Sequence, residues 1–190
     1  MTPSWHNLLH DFARAFYSPK SLYTDMRDGR PTPSWLCVLV YCAVYVVACL
    51  WLYFSGYEPF ATPWIALRSD IYYLVEAFYL TPLILLLWIQ GAATIHVLAR
   101  LFKGKGRFDA TLRMTGYSLW APWYPLIIVD SIHATPEWLY YGVLTLCVVL
   151  LLVGTTISTR IEQSIGWVGA VTSSLLAILG VGVMLLVFIR

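Results

Sequence analysis

The sequence predicts an all-α polytopic membrane protein: a bundle of five transmembrane helices preceded by a short amphipathic helix on the cytoplasmic side. Three observations carry this. Hydrophobic residues make up 59% of the 190-residue chain and charged residues 12%, against about 25% charged in a soluble domain, so there are too few charges to build a water-facing surface. Five runs have the length or apolarity of helices that cross roughly 30 Å of hydrocarbon. Finally, ten of the twelve Lys and Arg residues fall on one side of those runs. Residues 1–33 form the cytoplasmic segment and residues 34–190 the five-span domain.

The first 33 residues are too polar to span. Trp5, Leu8, Leu9, Phe12 and Phe16 recur at helical spacing, with His6, Asp11 and Arg14 between them. Such a helix either lies on the cytoplasmic leaflet or packs against the loops of its own bundle. Ser18-Pro19 restarts a helix, with Ser as N-cap and Pro in the first helical position, and Gly29-Arg30-Pro31 ends it.

Trp35 to Phe54 is the first span, with no charged residue. It begins too late and runs too long for a cleaved signal, and no small-x-small cleavage site follows. The second run, Ile71 to Phe102, holds Glu76, Gln90, His96 and Arg100. A continuous helix of that length reaches roughly 48 Å, so it must tilt, kink near Pro82 or protrude from the bilayer. Met114 to Ile132 is the weakest span, because Pro122 and Pro125 each remove a backbone donor. It is either kinked or broken, and a broken helix in a membrane can line a binding site. Trp138 to Ile157 and Trp167 to Ile189 complete the set.

Orientation follows from charge. Arg14, Lys20, Arg27, Arg30, Arg100, Lys103, Lys105, Arg107, Arg113 and Arg160 fall on one side, Arg68 and Arg190 on the other. Cytoplasmic loops hold the excess of Lys and Arg, which puts the N-terminus inside and, with five spans, the C-terminus outside. Trp51, Tyr53, Tyr57, Trp64, Tyr72, Tyr73, Trp138, Tyr140 and Tyr141 collect at the outer interface, where the ring is apolar and its N–H or O–H reaches water.

No catalytic, cofactor or metal constellation assembles. Cys37, Cys42, Cys49 and Cys147 lie in apolar runs with no CxxC pair and read as small buried thiols. Lys103-Gly-Lys-Gly-Arg-Phe108 matches neither GxxxxGK[ST] nor GxGxxG, since Asp109 stands at the third Gly position. A tight basic turn beside anionic headgroups explains it better, with Arg100, Lys103, Lys105 and Arg107 as headgroup-binding candidates and Asp109 as N-cap of the next helix. Glu76, His96 and Asp130 are the ionisable residues nearest the membrane interior, where burying charge is costly. They sit at the interface, make polar contacts within the bundle, or coordinate an ion or substrate. His96 in particular either ties the second span to its neighbours or to the Gly104–Gly106 turn, or is a protonation site on a cavity. Asp130, Ser131 and His133 hold the residue types of a hydrolytic triad, but neighbours along one helix or strand cannot converge.

The last span carries two rows of small residues, Gly166, Ala170, Ser174 and Gly169, Ser173, Ala177. Small residues four apart allow close helix approach, which serves packing inside the bundle or a homodimer seam. Partners are therefore the lipid bilayer and a membrane protein or second copy; nucleic acid is not expected.

One ordered set of residues carries a family resemblance. It comprises Phe16-Tyr17-Ser18-Pro19 through Pro33, then Gly91, His96, Arg100, the Gly104-Lys-Gly-Arg-Phe108 turn, Thr111-Leu112, Gly116-Tyr117-Ser118 and Pro122. The chain resembles the Yip family, the Ypt/Rab-interacting membrane proteins and their prokaryotic relatives. The resemblance implies five spans, a cytoplasmic N-terminus and no catalytic residues. Eukaryotic members carry a longer segment before the first span, so it further implies a prokaryotic member in the bacterial inner (cytoplasmic) membrane, to which a Rab trafficking role does not transfer. The function expected is non-enzymatic organisation of membrane or partner proteins. The alternative is a small transporter, channel or lipid-moving protein built on the proline-broken third span.

Overall fold

The computed structural model describes residues 5–28, 34–57, 68–132 and 136–189. The described residues are helical throughout apart from short turns, with no strand among them. The helices are α1 (Trp5–Tyr17), α2 (Pro19–Arg27), α3 (Ser34–Phe54), α4 (Tyr72–Leu101), α5 (Phe108–Ser118), α6 (Tyr124–Asp130), α7 (Glu137–Gln163) and α8 (Trp167–Ile189). Short 3-10 turns, Ser69–Ile71 and Ala121–Trp123, precede α4 and α6.

Four helices, α3, α4, α7 and α8, are long and apolar enough to cross a membrane. They form a continuous wall in which α3 packs on α4, α4 on α8 and α8 on α7. Their outward side chains, Val47, Phe78, Val148 and Val168 among them, are exposed, as helices with lipid for solvent require. At 30 residues α4 is about 45 Å long, and it runs unbroken through Pro82.

The third predicted span departs from the others. It consists of α5, the Ala121–Trp123 turn and α6, and none of these has the length of a crossing helix. Pro122 lies in the 3-10 turn and Pro125 in the first turn of α6, positions where a missing N–H costs no helical hydrogen bond. Of the two sequence expectations, kink or break, the break is what occurs. α5 is wedged between α3, α4 and α7. The break itself is packed with apolar rings: Trp120 is buried, and Tyr41 stacks at 5.3 Å from Trp120 and 5.2 Å from Tyr124.

One local expectation needs correction. Arg107, not Asp109, is the N-cap of α5, and Asp109 falls in the first turn, where its charge still favours the helix N-terminus. α2 ends at Arg27 with Asp28 as C-cap, before Gly29, which with Arg30 and Pro31 lies outside the described residues. Ser18 and Pro19 do open α2 as N-cap and first helical residue, without a side-chain cap bond.

The ends of the bundle are distinct. The amide of Lys105, just past α4, donates to the carbonyl of Gln163, the last residue of α7 (3.0 Å). The ends of α4 and α7 therefore meet, and with them Lys103, Lys105, Arg107 and Arg160: this is the basic end. At the far end Tyr57 beyond α3 packs on Tyr73 at the start of α4.

Candidate functional site

The densest polar arrangement lies at the basic end. α4 stops where Lys103 turns left-handed (φ 62) and the amide of Gly104 donates back to the Ala99 carbonyl (2.8 Å). Arg100, one turn earlier, reaches forward and donates to the carbonyls of Gly104 (3.2 Å) and Gly106 (2.9 Å). Its guanidinium fork holds the turn closed. The turn is pressed onto the end of α7. A methyl group on Gly104 would sit 2.8 Å from the Ala99 carbonyl oxygen, and one on Gly106 2.7 Å from that of Glu162. Both glycines are therefore there for close approach to backbone.

α7 answers with its last two residues. The Arg107 amide donates to Glu162 Oε1 (3.0 Å). Gln163 is fully buried; its Nε2 donates to Thr111 Oγ1 (2.7 Å) and lies 3.3 Å from His96 Nδ1. Thr111 has spent its own proton on the Arg107 carbonyl (3.0 Å), so it can only accept from Gln163. An amide NH2 facing Nδ1 makes that nitrogen an acceptor, which puts the proton of neutral His96 on Nε2. The imidazole also meets the Phe108 ring edge-on at 5.8 Å. Gln163 Oε1 is buried with no hydrogen bond among the described residues.

Behind this lock a seam of hydroxyls joins α5, α7 and α8. Ser158 donates to the Thr155 carbonyl (2.9 Å) and lies 3.4 Å from Ser118, and Thr159 pairs with Ser174 (3.2 Å). The pocket lined by Thr111, Thr115, Ser158, Thr159 and Glu162 has no room for a water molecule. Ser174 and Ala170 face into the bundle, and Gly169 lies against Phe102 so closely that a methyl group would come within 2.7 Å of the ring. These members of the small-residue rows pack inside the chain, while Gly166 faces open space.

The predicted site residues do not converge. Glu76 is buried at the opposite end of α4, accepting from Tyr45 (3.0 Å) and facing the Cys49 thiol (3.7 Å) on α3. Twenty residues separate it from His96, roughly 30 Å along one helix. Asp130 closes α6, and its side chain lies outside the described residues. Of the headgroup candidates, Arg100 is engaged by the turn, and Arg107 pairs with Asp109 (3.0 Å). Lys103 and Lys105 face outward, exposed. Desolvation acts to raise the Asp109 carboxyl, but the Arg107 hydrogen bond and the charges of Arg107 and Arg113 together hold it below the ordinary carboxylate range. The four cysteines are free and buried, and no group of metal-ligating side chains occurs among the described residues.

Gln163 and Glu162 carry the lock with Thr111; the sequence singled out neither of the first two, and Thr111 only as part of the family resemblance. Their signal is present, however. Thr155, Thr156, Ser158, Thr159, Glu162 and Gln163 put a polar face on the last two turns of an otherwise apolar helix, and a polar face there needs partners.

A family model described as the Yip1 domain matches residues 13–189. No curated protein and no solved structure matches the chain.

Proposed function

The chain belongs to the Yip1 domain family, and from that membership and the packing of its basic end we propose that it is a non-enzymatic multi-pass membrane protein that organises partner proteins in the bilayer. The observation that carries this reading is the lock of Gln163 on Thr111 and His96. Gln163 Nε2, Thr111, Glu162, Thr159 and Ser174, polar groups that a transport path would present to water, bond to protein partners instead. The proline break, where a transporter would bind, is filled by Tyr41, Trp120 and Tyr124.

In this reading the basic end faces the cytoplasm, as the bias of Lys and Arg favours. Residues 114–132 then cross the membrane as a broken fifth span. Two facts support that. The chain leaves the basic end at Phe108, and α7 returns to it at Gln163 after 27 residues, about 40 Å of helix. The start of α7 therefore belongs at the far end, and the chain must travel there between α4 and α7.

The platform offered to a partner is the rigid turn with its outward Lys103 and Lys105. Lysine-directed crosslinking of the whole protein in its native membrane tests this. Crosslinks from Lys103 or Lys105 to a small, reproducible set of membrane proteins are expected. Crosslinks that merely follow protein abundance would contradict the proposal.

A further inference from the structure

α1 is rotated so that part of its apolar surface points away from the protein. Leu8, Asp11 and Arg14, at spacings of three, lie on one face and are buried. Arg14 donates to Ser21 (2.7 Å) and Asp25 (2.7 Å) on α2 and lies 3.7 Å from Asp11. The polar arc of α1 is thus turned inward and clasped to α2. Leu9 and Tyr17, eight residues apart on another face, are left 70% and 68% exposed. Leu8, Phe12 and Ala15 pack on the core beside Leu22, Tyr23 and Met26, so the apolar surface of α1 is divided between the bundle and the outward side, which exposed His10 shares with Tyr17.

The level at which α1 sits decides what covers that face. The Phe12 ring packs edge-on against Tyr124 (4.9 Å), whose hydroxyl donates to the carbonyl of Cys37 in the first turn of α3 (3.1 Å). Trp35 in the same turn is exposed, as is Leu39 one turn on. An exposed Trp at the end of an apolar helix marks the headgroup boundary. α1 therefore stands at the level where α3 begins, the boundary of the leaflet. On α2, Lys20 is exposed, and Arg27, also exposed, pairs with Asp28 (3.5 Å).

We propose that the α1–α2 hairpin is an interfacial foot: Leu9 and Tyr17 insert at the acyl–headgroup boundary of an anionic leaflet, and the Arg14 clasp fixes the rotation that points them there. Apolar burial and the attraction of Lys and Arg to anionic lipid act together in such elements. The test uses the whole chain reconstituted in vesicles of equal phosphatidylcholine and phosphatidylglycerol. A photo-crosslinking phenylalanine analogue replaces Leu9 in one variant and Tyr17 in another, so that a folding defect in either leaves the other to read. Irradiation is expected to give mainly lipid adducts at both positions, with phosphatidylglycerol captured several-fold over phosphatidylcholine. Adducts to a second copy of the chain, or none above the dark control, would overturn the proposal. Equal capture of the two lipids would overturn the anionic leaflet as the occupant.

Discussion

Gln163 and His96, sixty-seven residues apart in the chain, meet at the basic end with 3.3 Å between Nε2 and Nδ1. The contact joins the last residue of α7 to the last third of α4, and Thr111 on α5 completes it. Three helices are thereby fixed around one buried amide. Such a group stabilises only while its partners remain, because a buried donor without an acceptor carries its full desolvation cost.

His96→Leu should therefore lower stability by about 1 kcal/mol, the worth of one buried hydrogen bond, while His96→Gln, which keeps an acceptor, should stay closer to the parent. Thermal unfolding in a mild detergent reads both. Equal losses in the two variants would mean that the imidazole ring is needed for its shape against Phe108 and not for its acceptor.

Gly106→Ala should detach the turn from α7. Its new methyl group would meet the Glu162 carbonyl at 2.7 Å, and such overpacking costs about 1–3 kcal/mol. Hydrogen exchange at the Lys105 and Arg107 amides, which donate to Gln163 and Glu162, should accelerate. Gly142→Ala, where the new methyl group meets nothing within 4 Å, is the control and should leave those amides protected.

Arg14→Met keeps the length of the side chain and removes its charge. It leaves buried Asp11 and the Asp25 carboxylate without their shared cation, a loss of roughly 1.5–3 kcal/mol for charged hydrogen bonds. Limited proteolysis should cut the α1–α2 hairpin first, with α3 to α8 intact. Unchanged cleavage would show that apolar packing, with Leu22, Tyr23 and Met26 buried, holds the hairpin alone.

Sidedness can be read with a membrane-impermeant thiol reagent, because the native cysteines are all buried. Tyr57→Cys and Pro136→Cys should label from outside the cell, and Ser164→Cys only after the membrane is opened. Labelling of Pro136→Cys and Ser164→Cys from the same side would remove the broken fifth span.

The four long helices were legible because each holds an apolar stretch long enough to cross, and lipid demands that every backbone group be satisfied within the helix. The interruption at Pro122 and Pro125 was legible too, but whether the helix kinks or breaks depends on Tyr41, Trp120 and Tyr124 filling the gap, and that is tertiary. The close-packed glycines of the turn were visible as a motif. Their partner was not, since Gln163 lies 57 residues beyond Gly106 and no local pattern pairs them. Glu76 and His96 read alike in the sequence as intramembrane ionisable residues. The length of α4 sets them at opposite ends with separate partners, Tyr45 and Cys49 for one, Gln163 for the other.

In the proposed function the bundle is closed to solutes and works by holding other molecules in place. Flux measured in sealed vesicles containing the purified whole protein tests it most directly, following small cations, small anions and headgroup-labelled lipid as the protein-to-lipid ratio rises. Rates equal to those of protein-free vesicles are expected at every ratio. A flux or lipid exchange that grows with protein content, and that changes when Trp120 in the proline break is replaced by Ala, would contradict it.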